Sequence, residues 1–256
     1  MDPSKQSTFW AAISRAGRSP TRRDQGLDAV IAALPGPVEV VLQGNPNFES
    51  EHVVAYEAGY RTQPSDRLSI DAAVFFNVYS KLESIEMLPP FIDQNSNPPI
   101  LVIPLTFGNT LHGTTEGVEV SLNWKIANRW TLSPGYSFLE MHLHTDANSL
   151  DTTSVADTQR TNPGHQVQLR SRLELPHNFT WNTNAYFVGS IPDQMVPSYT
   201  RLDTLLTWRP AERLELSLVG QNLLRDHHLE FGDDLQSVNS SQVKRSAYVK
   251  MTWIFK

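Results

Sequence analysis

Apolar and polar residues alternate along most of this chain. In the stretch YTRLDTLLTWRPAERLELSLVGQNLL, residues 199–224, Leu202 and Leu206 share one face, and Arg201 and Asp203 share the other. Beyond the Arg-Pro pair the alternation resumes, with leucines opposite polar residues. A period of two on both sides of a tight turn predicts a β-hairpin with one mainly apolar and one mainly polar face.

The same unit repeats along the chain and predicts about ten strands in an antiparallel meander. The other strands are predicted at residues 8–14, 53–62, 68–79, 115–126, 130–144, 166–175, 180–190 and 247–255. Many are about nine residues or longer, whereas strands of ordinary globular proteins are nearer five or six. Tilted strands that cross a membrane need roughly nine to eleven residues. Strand length therefore favours an all-β fold that is part of a transmembrane β-barrel.

Short and long connections alternate between these strands. The short turns follow Thr62, Ile126, Leu175 and Arg209. The long connections are residues 15–51, in which residues 27–34 are compatible with a short helix, and residues 82–111, 145–162 and 233–244. Outer-membrane barrels have short periplasmic turns and long extracellular loops, so this alternation favours such a barrel.

Five of the six tryptophans lie next to the short turns or near the C-terminus. They are Trp124, Trp130, Trp181, Trp208 and Trp253. If the final strand runs toward the periplasm, all of them lie at one rim, where barrels have an aromatic girdle. Charged residues fall on the face opposite the apolar set, which in a barrel is the lumen and in a soluble two-layer protein is the solvated surface.

Composition narrows the functional classes. The chain has 256 residues, 39% of them hydrophobic, a net charge of -6 and no cysteine. The charge and the lack of a dense basic cluster give no support for nucleic-acid binding, and the missing cysteines exclude disulfides and thiolate sites. No run approaches the ~20 apolar residues of a spanning helix. The N-terminal MDPSKQSTFW does not have the pattern of a signal peptide.

Several segments resemble the C-terminal part of the β-barrel of TonB-dependent outer-membrane receptors. The segments are WAAISRAGRSP (residues 10–20), NPNFESEHVVAYEAGYR (45–61), AAVFFNVYSKL (72–82), EGVEVSLNW (116–124), PSYTRLD (197–203), VGQNLLRDHHLEF (219–231) and the closing YVKMTWIF. Their order and spacing make the resemblance specific across nearly the whole chain.

The resemblance implies a partial barrel domain over residues 1–256 without the plug domain, located in the outer membrane of a Gram-negative bacterium. Family barrels have about twenty-two strands around a plug and import ferric siderophores or cobalamin-like ligands. The implied partners are outer-membrane lipid, the missing N-terminal barrel and plug portion, and the TonB system acting through that plug. Two other hypotheses stay open, namely a self-contained porin-like barrel and a soluble β-sandwich binding module.

The resemblance also suggests where a ligand would be held, because family members bind substrate with plug apices and extracellular loops. Candidate contacts for an anionic iron chelate in the long connections are Arg18, Arg22, Arg23, Phe48 and Phe91. For each of them, a solvated loop residue is the alternative.

His142 and His144 are further candidates for ligand contact. They lie two apart on one strand and share a face with Glu140, as a metal pair would. Spacing of two on a strand is weak evidence for a metal site, so no metal ligand and no cofactor is assigned. The chain has no nucleophile elbow, phosphate loop or His-Glu-x-x-His motif, and we do not expect an enzyme.

Overall fold

The structure is a computed structural model that describes residues 6–159, 161–232 and 241–255. Its strands are β1 (Gln6–Arg18), β2 (Asp28–Leu34), β3 (Val38–Gln43), β4 (Glu51–Ser65), β5 (Leu68–Met87), β6 (Phe91–Asp93), β7 (Ile100–Ala127), β8 (Trp130–Thr145), β9 (His165–Leu175), β10 (Phe179–Val188), β11 (Tyr199–Ala211), β12 (Leu214–Gln221), β13 (His227–Leu229), β14 (Gln242–Lys244) and β15 (Ser246–Trp253). The helices are α1 (Arg22–Gly26), α2 (Ser154–Gln159) and a 3₁₀ helix at Pro192–Gln194. Within these ranges, no helix has the length and apolar character required to cross a membrane.

One large sheet dominates the fold. Ten of its strands follow each other in the order β1-β4-β5-β7-β8-β9-β10-β11-β12-β15, and each neighbouring pair is antiparallel. The predicted meander of about ten long strands is therefore confirmed. Strands β2, β3 and β6 extend the sheet beside the first part of β7, where β3 pairs with β7 in parallel. Strands β13 and β14 form a separate two-stranded sheet.

The two faces of the sheet differ as the alternation predicted. Val74, Phe76 and Val78 of β5 are exposed, and the register aligns Val74 and Val78 with Val118 and Thr114 of β7 on the same face. This outward face exposes large apolar side chains on most of the ten strands. Such a face costs free energy in water but not in lipid.

The opposite face is concave. Trp10 of β1 and Tyr186 of β10 line the same cavity of about 740 Å³, together with Glu57 and Glu119 from strands between them. Residues separated by this many strands meet one cavity only because the sheet curls around it. The curvature makes the polar face an inner wall.

The register places five of the six tryptophans toward one rim, Trp10 being the exception on the inner wall. Trp130 is opposite Leu173, which is in turn opposite Trp181 on β10. Trp208 is opposite Phe179 at the same turn, and their rings stack at 5.6 Å. Trp253 is opposite the first residue of β12. The indoles therefore follow the short turns, which agrees with the predicted girdle.

The long connections contain more regular structure than the sequence predicted. Residues 28–34 form strand β2 rather than a short helix, because they pair with β3 in a hairpin. The segment predicted as a connection at residues 82–111 extends β5 and begins β7, which pair as far as Met87 and Leu105. Strand β1 likewise continues past the predicted end at residue 14. Of the predicted loop at residues 233–244, residues 233–240 lie outside the described residues.

Candidate functional site

Ion pairs cover the inner wall. Arg61 and Asp71 face each other on β4 and β5 with Nη2 and Oδ2 2.5 Å apart. Arg209 and Glu215 bridge β11 and β12 at 2.8 Å. Arg172 and Glu174 add a further pair along β9 at 3.3 Å. The alternation predicts ten charged residues on this face, namely Glu57, Arg61, Glu119, Lys125, Arg170, Arg172, Glu174, Arg201, Asp203 and Glu215. The wall is thus polar and largely self-neutralised, as in a hydrated or plugged lumen.

Helix α1 is attached to the wall at the long-loop end of β1. Thr21 begins the helix with a capping box, in which Oγ1 accepts the Asp24 N–H at 3.3 Å and the Thr21 N–H donates to Asp24 Oδ2 at 2.9 Å. Satisfying both amides is what starts a helix of only five residues. Asp24 is fully buried and also accepts from Arg18 Nη1 at 2.9 Å.

Arg18 joins three carboxylates in one network. Besides Asp24, its Nε contacts Glu51 Oε2 at 2.5 Å and its Nη2 contacts Glu83 Oε2 at 3.1 Å. An arginine fork suits such simultaneous pairing because its five N–H donors point in fixed directions. Arg18, a predicted ligand contact, therefore connects α1 to β4 and β5 in the structure.

The network fixes the charge state of Asp24. Burial by itself raises the pKa of Asp24. The hydrogen bonds with Thr21 and the positive charge of Arg18 outweigh that effect, so the pKa lies below its ordinary value. The carboxylate is therefore ionised at neutral pH and holds Arg18 in place.

A small apolar core lies under the arginines. Phe107 is completely buried and Phe48 nearly so, and their rings meet edge to face at 6.5 Å. Leu42, Leu27, Ile85 and Leu105 pack around them. The Arg23 guanidinium lies 4.7 Å from the centre of the Phe107 ring, a cation–π distance. The structure thus brings Arg18, Arg23 and Phe48 together around Phe107.

Two of the other predicted contacts are more exposed. Arg22 lies on the solvent side of α1. Phe91 is half exposed on β6, opposite Val102 of β7, and is not part of the core around Phe107. Both side chains are accessible to a ligand on the long-loop side.

The loop after β8 is attached by a carboxylate that sequence reasoning missed. Asp151 is buried, and its Oδ2 accepts the Ile85 N–H at 2.7 Å while Oδ1 accepts the N–H groups of Thr153 and Ser154 at 2.9 Å. Burial raises the pKa of Asp151, but these hydrogen bonds lower it below its ordinary value. The Asp-x-Thr-Ser spacing of a turn is the only sequence signal for it.

His142 and His144 lie on the outward face and not on the inner wall. They are exposed, whereas Leu143 between them is buried on the inner side. His142 Nε2 is 3.5 Å from Glu140 Oε1. Glu116 on β7 is directly opposite Glu140. The sequence identified Glu140 as a neighbour but missed Glu116, because only the register of β7 and β8 reveals it.

A curled antiparallel sheet with an apolar outer face, a charged inner wall and structured long connections on one side defines the wall of an outer-membrane receptor barrel. The chain belongs to the family of TonB-dependent receptor-like β-barrels, whose family model matches residues 2–223. Members of this family are outer-membrane receptors and transporters, not enzymes.

Relatives and solved structures agree with this assignment. The chain is 21% identical over 198 residues to a probable TonB-dependent siderophore receptor, PiuA, of Acinetobacter baumannii, covering 72% of this chain and 24% of the relative. It resembles the siderophore receptor PirA of A. baumannii with a TM-score of 0.72 and 14% identity, over 100% of this chain and 40% of that one.

A third likeness is to a variant of the ferric enterobactin receptor PfeA of Pseudomonas aeruginosa, with a TM-score of 0.71 and 15% identity. It covers 96% of this chain and 38% of PfeA. The chain therefore spans about a quarter of the curated relative that it matches and about two fifths of these structures. The structural likenesses establish the fold.

Proposed function

We propose that this chain forms the C-terminal barrel wall of an outer-membrane transporter that imports a ferric siderophore. The supporting observation is the arrangement of the sheet, with apolar side chains exposed outward and ion pairs on the concave inner wall. Only a sheet between lipid and an aqueous or plugged lumen needs both faces. The names of the matched relatives favour an iron chelate over cobalamin as the ligand.

The edges of the sheet support a larger barrel. Within the described residues, β1 and β15 each pair on one side only. Unpaired backbone groups cannot face hydrocarbon, so we propose that further strands close the barrel and that a plug domain links it to TonB. The same edges argue against a self-contained porin-like barrel. The β-sandwich hypothesis is wrong, because the family assignment and the exposed outer face contradict it.

The ligand would bind on the long-loop side of the wall. We propose that Arg22 and Arg23 on α1, with the accessible ring of Phe91, contact an anionic ferric chelate, since cations and aromatic surface suit such a ligand. Arg18 and Phe48 support them from below through the carboxylate network and the core around Phe107. His142 and His144 are on the opposite face, so we propose no contact between them and a ligand in the lumen.

Uptake measurements test this proposal. The chain would be expressed together with the proposed further strands and plug domain, as one receptor, in a Gram-negative strain without its own siderophore receptors. Entry of radioactive iron would be followed with catecholate and hydroxamate chelates, beside labelled cobalamin. We expect uptake of a ferric chelate that requires TonB. Uptake of cobalamin alone would contradict the ligand class, and uptake independent of TonB would contradict the transporter class.

A matched pair of variants tests the ligand contacts. Arg22→Gln removes an exposed guanidinium from α1, and a charged hydrogen bond is worth roughly 1.5–3 kcal/mol, or about ten- to a hundredfold in affinity. Arg172→Gln removes another exposed guanidinium, near the short-turn rim. We expect weaker chelate binding for the first variant only; equal effects would exclude α1 as a binding element.

A further inference from the structure

The outward face has one cluster of titratable groups at the upper boundary of its apolar band. On β8 the outward positions from Trp130 to Phe138 are mostly apolar, and Glu140 and His142 follow directly. On β7 the outward residues change from Val118 to Glu116 at the same level. The segment from residue 130 to residue 140 has the length of about one membrane crossing, so the cluster lies where hydrocarbon gives way to headgroups.

The two glutamates of this cluster repel each other. Glu116 and Glu140 are direct partners in the register of β7 and β8, and side chains in this relation have Cβ atoms about 4.5–5.5 Å apart. Like charges in that position destabilise a sheet. Among the residues that the structure describes, neither glutamate has a lysine or arginine ion-pair partner. Apart from His142, which is 3.5 Å from Glu140, no basic side chain pairs with these two carboxylates in the described part of the chain.

A nitrogen ligand is within reach of both carboxylates. One ligand atom each from Glu116, Glu140 and His142 lies within 4.8 Å of the others, so the three donors can converge on one ion. All are exposed, which leaves the remaining coordination positions open on the outer side. A donor set of one imidazole and two carboxylates suits zinc and related divalent transition metals. Calcium and magnesium prefer oxygen ligands alone.

We propose that Glu116, Glu140 and His142 form a binding site for a divalent transition-metal ion of the zinc type on the outer surface of the barrel. The ion neutralises the opposed carboxylates and joins β7 to β8 at the membrane boundary. The site is on the face opposite the lumen, so it does not depend on the ligand of the proposed transport function. This assignment revises the expectation that the chain has no metal ligand.

A second polar group on the same face provides a control. His144 lies next to His112, with ring centres 6.1 Å apart, and His112 Nδ1 is 3.3 Å from Asp146 Oδ1. His144 has the same strand, face and exposure as His142 but is outside the three-residue group. A site defined by geometry must distinguish the two histidines.

Cobalt titration of the full chain, purified in detergent and freed of metal with a chelator, tests the site. We expect one Co²⁺ ion per chain, a visible absorption band typical of low-coordinate cobalt, and displacement by Zn²⁺. Glu116→Gln, Glu140→Gln and His142→Asn should each weaken binding by roughly tenfold or more, because even supporting residues of metal sites cost 10–100-fold. His144→Asn and Glu119→Gln, the latter on the inner wall, should change it by less than about twofold.

The unmutated protein gives an independent measurement. Zn²⁺ should protect His142, and leave His144 unprotected, against acylation by diethyl pyrocarbonate, as measured by mass spectrometry of the modified peptides. Absence of saturable cobalt absorption, equal protection of both histidines, or equal losses in His142→Asn and His144→Asn would overturn the proposal. Circular dichroism of each variant confirms its β-structure, and the protection result stands if a variant does not fold.

Discussion

Truncation of the buried phenylalanine under the arginines should loosen the long-loop side of the barrel wall. Phe107 is fully buried, touches Phe48 edge to face and carries the Arg23 guanidinium on its ring. Phe107→Ala removes these contacts and leaves a cavity, and such a change costs about 3–5 kcal/mol. The core around Phe107 contains few other buried residues, so most of that cost falls on this local unit.

The expected effect is local and large. A loss of about 4 kcal/mol in the free energy of local unfolding raises the population in which the core around Phe107 is unfolded roughly a thousandfold, since each 1.4 kcal/mol is a factor of ten. Amide hydrogen exchange by mass spectrometry measures this directly, because protected amides exchange through local opening. Peptides that cover residues 22–48 should exchange about a thousandfold faster, whereas peptides from β9 and β10 should not change.

Phe187→Ala is the matched control. Phe187 is a phenylalanine of similar volume on the outward face of β10, where it is exposed. It should leave exchange in residues 22–48 unchanged. If Phe107→Ala accelerates exchange there by less than about tenfold, or if both variants act alike, then the core around Phe107 does not hold the long-loop side together.

Three further changes test the inner wall and helix α1. Gly59→Val should lower stability by about 1–3 kcal/mol, measured as the urea midpoint in detergent, because a Cβ at this position would be 2.3 Å from the Trp10 indole. Thr207→Val should cost about 1–2 kcal/mol by leaving the buried Ser217 hydroxyl, 3.2 Å away, without its partner, and adding Ser217→Ala should recover most of it. Folding lowers the pKa of Asp24 below the ordinary unfolded value of about 3.9. Its carboxylate therefore stabilises α1 at pH values above that unfolded value, and the stabilisation is lost as pH falls through the lower folded pKa. Asp24→Asn should therefore speed pH-corrected exchange of α1 at pH 7 and abolish the Asp24 part of its acid sensitivity.

Controls and contradicting outcomes for these changes follow from the same contacts. For Gly59→Val the control is Gly164→Ala, which should be tolerated because the new Cβ would lie 3.5 Å from its nearest neighbour, the Leu139 carbonyl oxygen. If Thr207→Val were as stable as the parent protein, the hydroxyl pair of Thr207 and Ser217 would contribute nothing to stability. Asp66→Asn, in the exposed short turn after β4, should leave exchange of α1 unaltered. If Asp24→Asn left it unaltered as well, the network would not hold the helix.

Alternation predicted the membrane-spanning strands because lipid on one side and the lumen on the other impose a strict period of two. The hairpin of β11 and β12 shows this, with Leu206 and Leu218 aligned on the outward face. The same rule gave no strand within residues 27–34, which were compatible with a short helix. Residues 28–34 form a strand there, in a hairpin that has no membrane to sort its side chains. The extensions of β5 and β7 were missed for the same reason.

Individual site residues were harder to predict than the fold. Arg18 and Phe48 were identified by type as loop residues that suit a ligand, but the sequence contains no sign that carboxylates and a buried ring engage them. Glu116 was missed because its partner Glu140 is 24 positions away, and only the register of β7 and β8 makes them neighbours. Contacts across strands need pairing information that a single strand does not contain.

The parallel pairing of β3 with β7 joins segments that are far apart in the sequence. Val38 meets Leu101 and Gln43 meets Thr106, so the hairpin attaches to an edge that exists only after β7 has been synthesised and positioned by its neighbours. Closing so large a loop is slow. We therefore expect the hairpin to dock onto β7 late in folding, after the long antiparallel strands of the wall have paired.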